Sequence, residues 1–255
     1  MNSEYIASLL SKNMRLDGRK FDDYRKMSIE TGVSHNAEGS ARAKIGDTEV
    51  IAGVKLDVGE PFPDNPDEGT IIVNAELLAL SNPEFELGPP DAQTIELARV
   101  VDRGIRESNL IDFKKLCIKE GEKVWLVFID IYSINDSGNL QDAAFLASVA
   151  ALKEAIFPKL KENGKADYKE HTKERLPLTK DIVECTLLKI GESIIVDPST
   201  EEEKALDSRL TICVTKENKI CAMQKGGSKG LKTEDIERMI DIALAKSKDL
   251  MKVLK

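Results

Sequence analysis

DIYSINDSGNLQDAAFLASVAAL, running from Asp130 to Leu152, joins an alternating apolar strand to a helix through the turn Ser137-Gly138-Asn139. The first turns of that helix are almost entirely small residues. Proteins often build anion sites this way, because backbone N–H groups at a helix N-terminus aim at a phosphate. This turn, however, contains no Arg or Lys, and Asp142 stands where the helix begins. A carboxylate there caps free N–H groups, complements the helix dipole and repels a phosphate. The scaffold of a phosphate site is present without its charge.

The flanking sequence is β-rich. Upstream, LCIKEGEKVWLVFIDIYSI reads as two strands around Glu120-Gly121, and ARAKIGDTEVIAGVKLDV as a hairpin turning at Gly46-Asp47. Between them lie a Pro- and acid-rich loop over 59–69, a strand in TIIVNAELLAL, and a helix over Asp91–Asn109 that Asp91 caps after Pro89-Pro90. Ile95, Ala98, Val101 and Ile105 are its expected core side. Arg99, Arg103 and Arg106 share one stripe at i, i+4 and i+7. They either pair with Glu96, Asp102 or Glu107 on the same helix or face a polyanion. A short amphipathic helix is expected near the N-terminus, with Tyr5, Ile6, Leu9 and Leu10.

Downstream, the helix that begins at Asp142 is expected to end near Pro158, and 159–181 reads as a charged, irregular linker. Four strand signals follow: VECTLLKIG, SIIVDPS, RLTICVT and KICAMQKGG. A last helix, capped by Thr233, carries the stripe Ile236, Met239, Ile240, Ala243, Leu244, Leu250 and Met251. The chain is therefore α+β, in two units of strands followed by a helix, 1–165 and 180–255.

Composition narrows the function. The 255 residues carry a formal charge of −8, which argues against unselective coating of nucleic acid but leaves room for a local basic patch. Charged residues reach 32%, rich in Lys and Glu, as in heat-adapted surfaces. Four cysteines show no CxxC pair and no metal spacing, so reduced, mostly buried thiols are expected. The two histidines, His35 and His171, read as surface residues, and Asp130, Asp136 and Asp197 as capping or turn residues. Neither a metal site nor a His-based triad is expected. Lys225–Gly230 lacks Walker spacing and reads as a turn. No apolar run is long enough to span a membrane and no signal-peptide pattern opens the chain, so a cytoplasmic protein is expected.

Several segments together resemble the RNase PH family, and within it the non-catalytic branch found in the archaeal exosome. They are RLDGRK (Arg15–Lys20), Gly39–Ala41 leading into KIGDTEVIAGVK, GTIIVNAEL (Gly69–Leu77), GPPDAQTIELARVVDRGIRES and VDPSTEEEKALDSRLT (Val196–Thr211). The resemblance implies two β/α units like ribosomal protein S5 domain 2, and 3′-to-5′ phosphorolysis of RNA. Active members hold the attacking phosphate with Gly-(Ser/Thr)-Arg-(Ser/Thr); aligned on Ala143-Ala144, this chain has Leu140-Gln141-Asp142, with Gln141 in the arginine's place. Of the family's two acidic residues in the second unit, Asp207 matches the later one, and the earlier falls within Glu201–Glu203.

The resemblance thus implies a subunit with no catalytic residues and no cofactor of its own, the phosphate being used by a catalytic RNase PH-like partner. Three such heterodimers would form a hexameric ring that carries RNA-binding cap subunits. Single-stranded RNA would be contacted by Arg99 and Arg103, with Arg106 nearer to an intrahelical pair. Two enzymatic alternatives stand beside it: a divergent, active RNase PH-type phosphorolytic exoribonuclease using Asp207, and a small-molecule phosphotransferase, for which no ATP loop is visible.

Overall fold

The computed structural model describes residues 3–254. Helix α1 (Ser3–Ser11) is followed by β1 (Met27–Thr31), β2 (Gly39–Ile45), β3 (Thr48–Gly59), β4 (Thr70–Leu77), α2 (Ala92–Glu107), β5 (Cys117–Lys119) and β6 (Lys123–Asn135). Helix α3 (Leu140–Glu154) leads to β7 (Ile156–Leu160) and β8 (Ala166–Arg175). The remainder is β9 (Ile182–Ile190), β10 (Ser193–Val196), α4 (Thr200–Glu203), β11 (Ser208–Thr215), β12 (Ile220–Gly226) and α5 (Thr233–Val253).

The first sheet runs β1-β2-β3-β6-β4, with β5 also on β6; the second runs β10-β9-β11-β12. All pairs are antiparallel except β4 with β6, whose parallel register needs the long crossover through α2. Helix α3 packs against β2 and β3 of the first sheet and β9 of the second. This explains its composition. A helix between two sheets has no polar face, and its small residues let the backbones approach: a Cβ on Gly39 would lie 2.3 Å from the Ala151 carbonyl. Residues Leu140 to Leu152 are accordingly all buried.

Several expectations need correction. Residues 159–181 are no irregular linker: β7 and β8 form a two-stranded ribbon that reaches back to β3. Both faces of that ribbon meet solvent over most of its length, so no apolar alternation marks it. Its backbone ladder is flanked by exposed cross-strand pairs such as Lys159–Glu170 (2.8 Å), and Lys55 sits 4.4 Å over the Tyr168 ring. Pro158 therefore lies in a strand, and α3 ends at Glu154.

On α2 the buried residues are Thr94, Leu97, Val100, Val101, Gly104 and Ile105; Ile95 is 47% exposed and Ala98 half-buried. The helix meets β4, β12 and α3 at once, which widens and rotates the covered face. Thr233 is the first residue of α5 and not its cap; the Asp235 carboxylate accepts the Lys232 N–H at 3.3 Å. Helix α1 forms as expected but seats on the second unit, where Ile6 and Leu10 pack with Leu188, Ile190, Ile195 and Ala205.

Candidate functional site

Two neighbouring features bear on function. The first is the turn before α3. Gly138 takes φ +87°, and a Cβ there would lie 2.4 Å from the Pro198 carbonyl, so only glycine lets this turn meet the second unit. Arg25 clamps the turn, donating to the Ser137 carbonyl at 2.7 Å and the Gly138 carbonyl at 2.9 Å while pairing with Asp197 at 2.6 Å. Thr48 adds a bond to the Gly138 carbonyl at 2.6 Å.

Two backbone N–H groups of the turn are engaged from within. The Gly138 N–H donates to Asp136 at 2.9 Å, and the Asn139 N–H donates to Glu203 Oε1 at 2.8 Å. Glu203 stands at the end of α4, which the Ser199–Glu202 capping box nucleates. The second unit thus supplies its own carboxylate to the turn. Burial, reinforced by nearby Asp136, pushes Glu203 up to about 7, while the Asn139 N–H, Arg209 and Arg25 pull it down.

Asp142 does not do what its position suggests. The N-cap is Asn139, at φ +60° with no side-chain cap bond, and the Asp142 carboxylate turns into the core. Its Oδ2 accepts from the Tyr24 hydroxyl at 2.7 Å and from Asn139 Nδ2 at 3.1 Å. Burial raises it to about 6 despite those bonds. Asp197 withstands the same burial because Arg25 and Arg19 hold it below the usual carboxylate range. Gln141 is directed at Glu184, Nε2 to Oε1 at 3.1 Å, and brings no positive charge to the turn.

The second-unit acids are committed as well. Glu202 is buried in a bidentate pair with Arg15, at 2.6 and 2.9 Å. Asp207 accepts from Lys229 at 2.7 Å and the Gly191 N–H at 2.9 Å; Lys229, chiefly, holds it below its ordinary range. A cavity of about 270 Å³ remains beside the turn, with Gln141, Glu203 and Arg209 on its wall; Asp207 does not line it. Among the described residues no cluster of three or more His, Cys, Asp or Glu side chains is arranged to hold a metal, and no helix is long and apolar enough to cross a membrane.

The second feature is the arginine stripe of α2. The structure separates its members. Arg106 is paired with Asp102 at 2.8 Å and also donates to the Ile71 carbonyl at 3.1 Å. Glu96 is taken by Arg209 of β11 at 2.6 Å. Arg99 and Arg103 are exposed, line a groove of about 660 Å³ with Ile95 and Gln224, and have no ion-pair partner among the described residues. Two unpaired guanidiniums one turn apart suit consecutive phosphates of a nucleic-acid strand.

Residues 23–158 match the 3′ exoribonuclease family, domain 1, and residues 182–246 match domain 2 of the same family. The chain belongs to the RNase PH family. Its relatives include the exosome complex component Rrp42 of Methanothermobacter thermautotrophicus, 48% identical over 250 residues that cover 98% of this chain and 92% of that protein. The Archaeoglobus fulgidus component of the same name is 48% identical over 241 residues, covering 94% and 91%. Among solved structures, a chain of the A. fulgidus exosome with RNA bound to the active site superposes with a TM-score of 0.91 at 46% identity, covering 99% of this chain and 97% of that one. Rice Rrp46, at 21% identity and a TM-score of 0.72, shares the fold. The two β/α units read from the sequence are thus the RNase PH-like fold.

The sequence did not reveal Glu203, Arg25, Tyr24 and Asp197 as the residues that fill the turn. One local signal was there: S-T-E-E at Ser199–Glu202 is a capping box, and it marks the helix that carries Glu203.

Proposed function

We propose that this chain is a non-catalytic subunit of an archaeal-type exosome, an RNA-degrading complex working by 3′-to-5′ phosphorolysis. The observation that carries this reading is the Glu203–Asn139 contact. Where an active relative would seat phosphate, a carboxylate of this chain already accepts the backbone N–H, and Gln141 offers no positive charge. Glu203 is pushed up to about 7, and it is its ionised form that repels a phosphate dianion at that distance.

The subunit's contribution is structural and positional. It pairs with a catalytic RNase PH-like subunit, three such pairs close a six-membered ring with RNA-binding cap subunits above it, and the phosphate is consumed in the partner's site. No cofactor is required of this chain. Arg99 and Arg103 grip the backbone of single-stranded RNA bound across the subunit boundary, and the complex works in the cytoplasm. Calorimetric titration of the isolated chain with inorganic phosphate tests the carrying observation: no saturable binding at millimolar phosphate is expected. Tight, stoichiometric binding would instead favour an active phosphorolytic enzyme.

A further inference from the structure

Strands β11 and β12 carry two of the chain's four cysteines, Cys213 and Cys221. Cys213 stands opposite Ala222 and Val214 opposite Ile220, so Cys221 is an extra residue in the ladder, a β-bulge. In a regular strand Cys221 would point to the face opposite Ala222. A bulge sets two residues against one and re-aims the added side chain. Here it turns the Cys221 sulfur back to Cys213. Cys221 Sγ donates to the Cys213 carbonyl at 3.3 Å, and the two thiols are hydrogen-bonded to each other. Their backbones are one step out of register on neighbouring strands, a separation that a disulfide can bridge.

The pair is asymmetric. Cys213 is buried, its sulfur also reaching the Gly104 carbonyl of α2 at 3.8 Å. Its hydrogen bond with Cys221, together with burial, pushes its thiol well above the ordinary range. Cys221 is half-buried on the edge strand, and the same hydrogen bond pulls its thiol below that range against the effect of burial. A partly exposed, more acidic sulfur beside a buried, protonated one is the arrangement of an attacking and a resolving cysteine. The other two thiols lack it. Burial pushes the Cys185 thiol up and Tyr24 is its hydrogen-bond partner, while Cys117 has no thiol contact among the described residues.

We infer that Cys213 and Cys221 are a redox modification site, closed to a disulfide by hydroperoxides and reopened by dithiols. The Cys221 thiolate attacks the outer peroxide oxygen and the O–O bond breaks. The leaving oxygen takes up the proton that Cys221 gave away and departs as alcohol or water, and Cys221 becomes a sulfenic acid. The Cys213 sulfur then attacks that sulfur, and its own proton leaves with the expelled hydroxide as water. Two thiols are oxidised by two electrons and one peroxide is reduced. Among the described residues β12 pairs only with β11, so the new bond is a covalent tie on the last strand of the second sheet.

The test is mass spectrometry of the full chain after exposure to a single equivalent of hydrogen peroxide and alkylation of the remaining thiols. Trypsin cuts after Arg209, Lys216, Lys219 and Lys225, so the disulfide joins peptides 210–216 and 220–225 until dithiothreitol separates them. That linked pair is expected as the main product, with Cys117 and Cys185 alkylated and the melting temperature of the oxidised chain raised by a few degrees. Cys213→Ser is expected to stop at a Cys221 sulfenic acid that dimedone traps. Cys221→Ser is expected to slow peroxide consumption at least about tenfold. A native chain in which Cys213 and Cys221 are recovered alkylated, or in which Cys221 proceeds to sulfinic acid without the linked pair, overturns the inference. So does a Cys221→Ser chain that consumes peroxide at the native rate. The native-chain readout depends on no variant folding.

Discussion

The Glu203 carboxylate and the Asn139 N–H, 2.8 Å apart, join the two units of the chain at the turn before α3. Burial holds Glu203 near 7, well above its ordinary 4.5. A carboxyl whose folded value is raised contributes stability that is complete below the unfolded value and is lost as pH rises through the folded one. Glu203→Gln keeps an acceptor and removes the titration. Its melting temperature, relative to the native chain, is expected to climb between pH 5 and pH 8; a difference that stays flat across that window would contradict the assignment.

Asp142 follows the same sign at lower pH. Raised to about 6 from 3.8 and fully buried, its ionised form is disfavoured by on the order of 3 kcal/mol. Asp142→Asn retains an acceptor for the Tyr24 hydroxyl. In urea denaturation the variant should gain on the native chain as pH rises from 4 to 8, by up to about that amount. Equal gain at both ends would show that the carboxyl does not titrate in the core.

The arginines of α2 should separate by salt dependence. Removing one phosphate contact to a single strand lowers the slope of log affinity against log salt by about 0.7. Arg99→Ala and Arg103→Ala are each expected to do so in the assembled complex, by fluorescence anisotropy with labelled RNA. Arg106→Ala should change the slope little, because Asp102 and the Ile71 carbonyl already hold its guanidinium. Three identical slopes would remove the positioning role.

Arg15 and Glu202 form a fully buried pair between the N-terminal segment and the second unit. Glu202→Ala leaves the Arg15 guanidinium without its carboxylate, although the Val196 and Asp197 carbonyls still accept from it. A loss of about 3–5 kcal/mol is expected in chemical denaturation. A loss below about 1 kcal/mol would place the pair among the surface bridges that contribute little.

Much of this was legible in the sequence. Most strands of the two sheets, the Asp91 cap and the arginine stripe are local patterns that the structure keeps. What escaped was non-local. Glu203 reaches Asn139 across 64 residues and Tyr24 reaches Asp142 across 118, and no spacing rule links such pairs. Asp142 departs from its pattern for a related reason: its place in the first helical turn favours a capping role, but tertiary burial turns it towards Tyr24. The ribbon β7–β8 escaped because strands solvated on both faces lack the alternation that identifies them. Gln141 was the exception, since the missing charge is visible in the letter itself; its partner Glu184 is not.

The most direct measurement is phosphate-dependent release of nucleoside diphosphates from 3′-labelled RNA, by the purified chain alone and by the chain assembled with the catalytic RNase PH-like subunit. The lone chain should release none, and the assembly should be active, with turnover reduced when Arg99 and Arg103 are both replaced by Glu. Phosphorolysis by the lone chain that is lost on replacing Asp207 would contradict the non-catalytic reading outright.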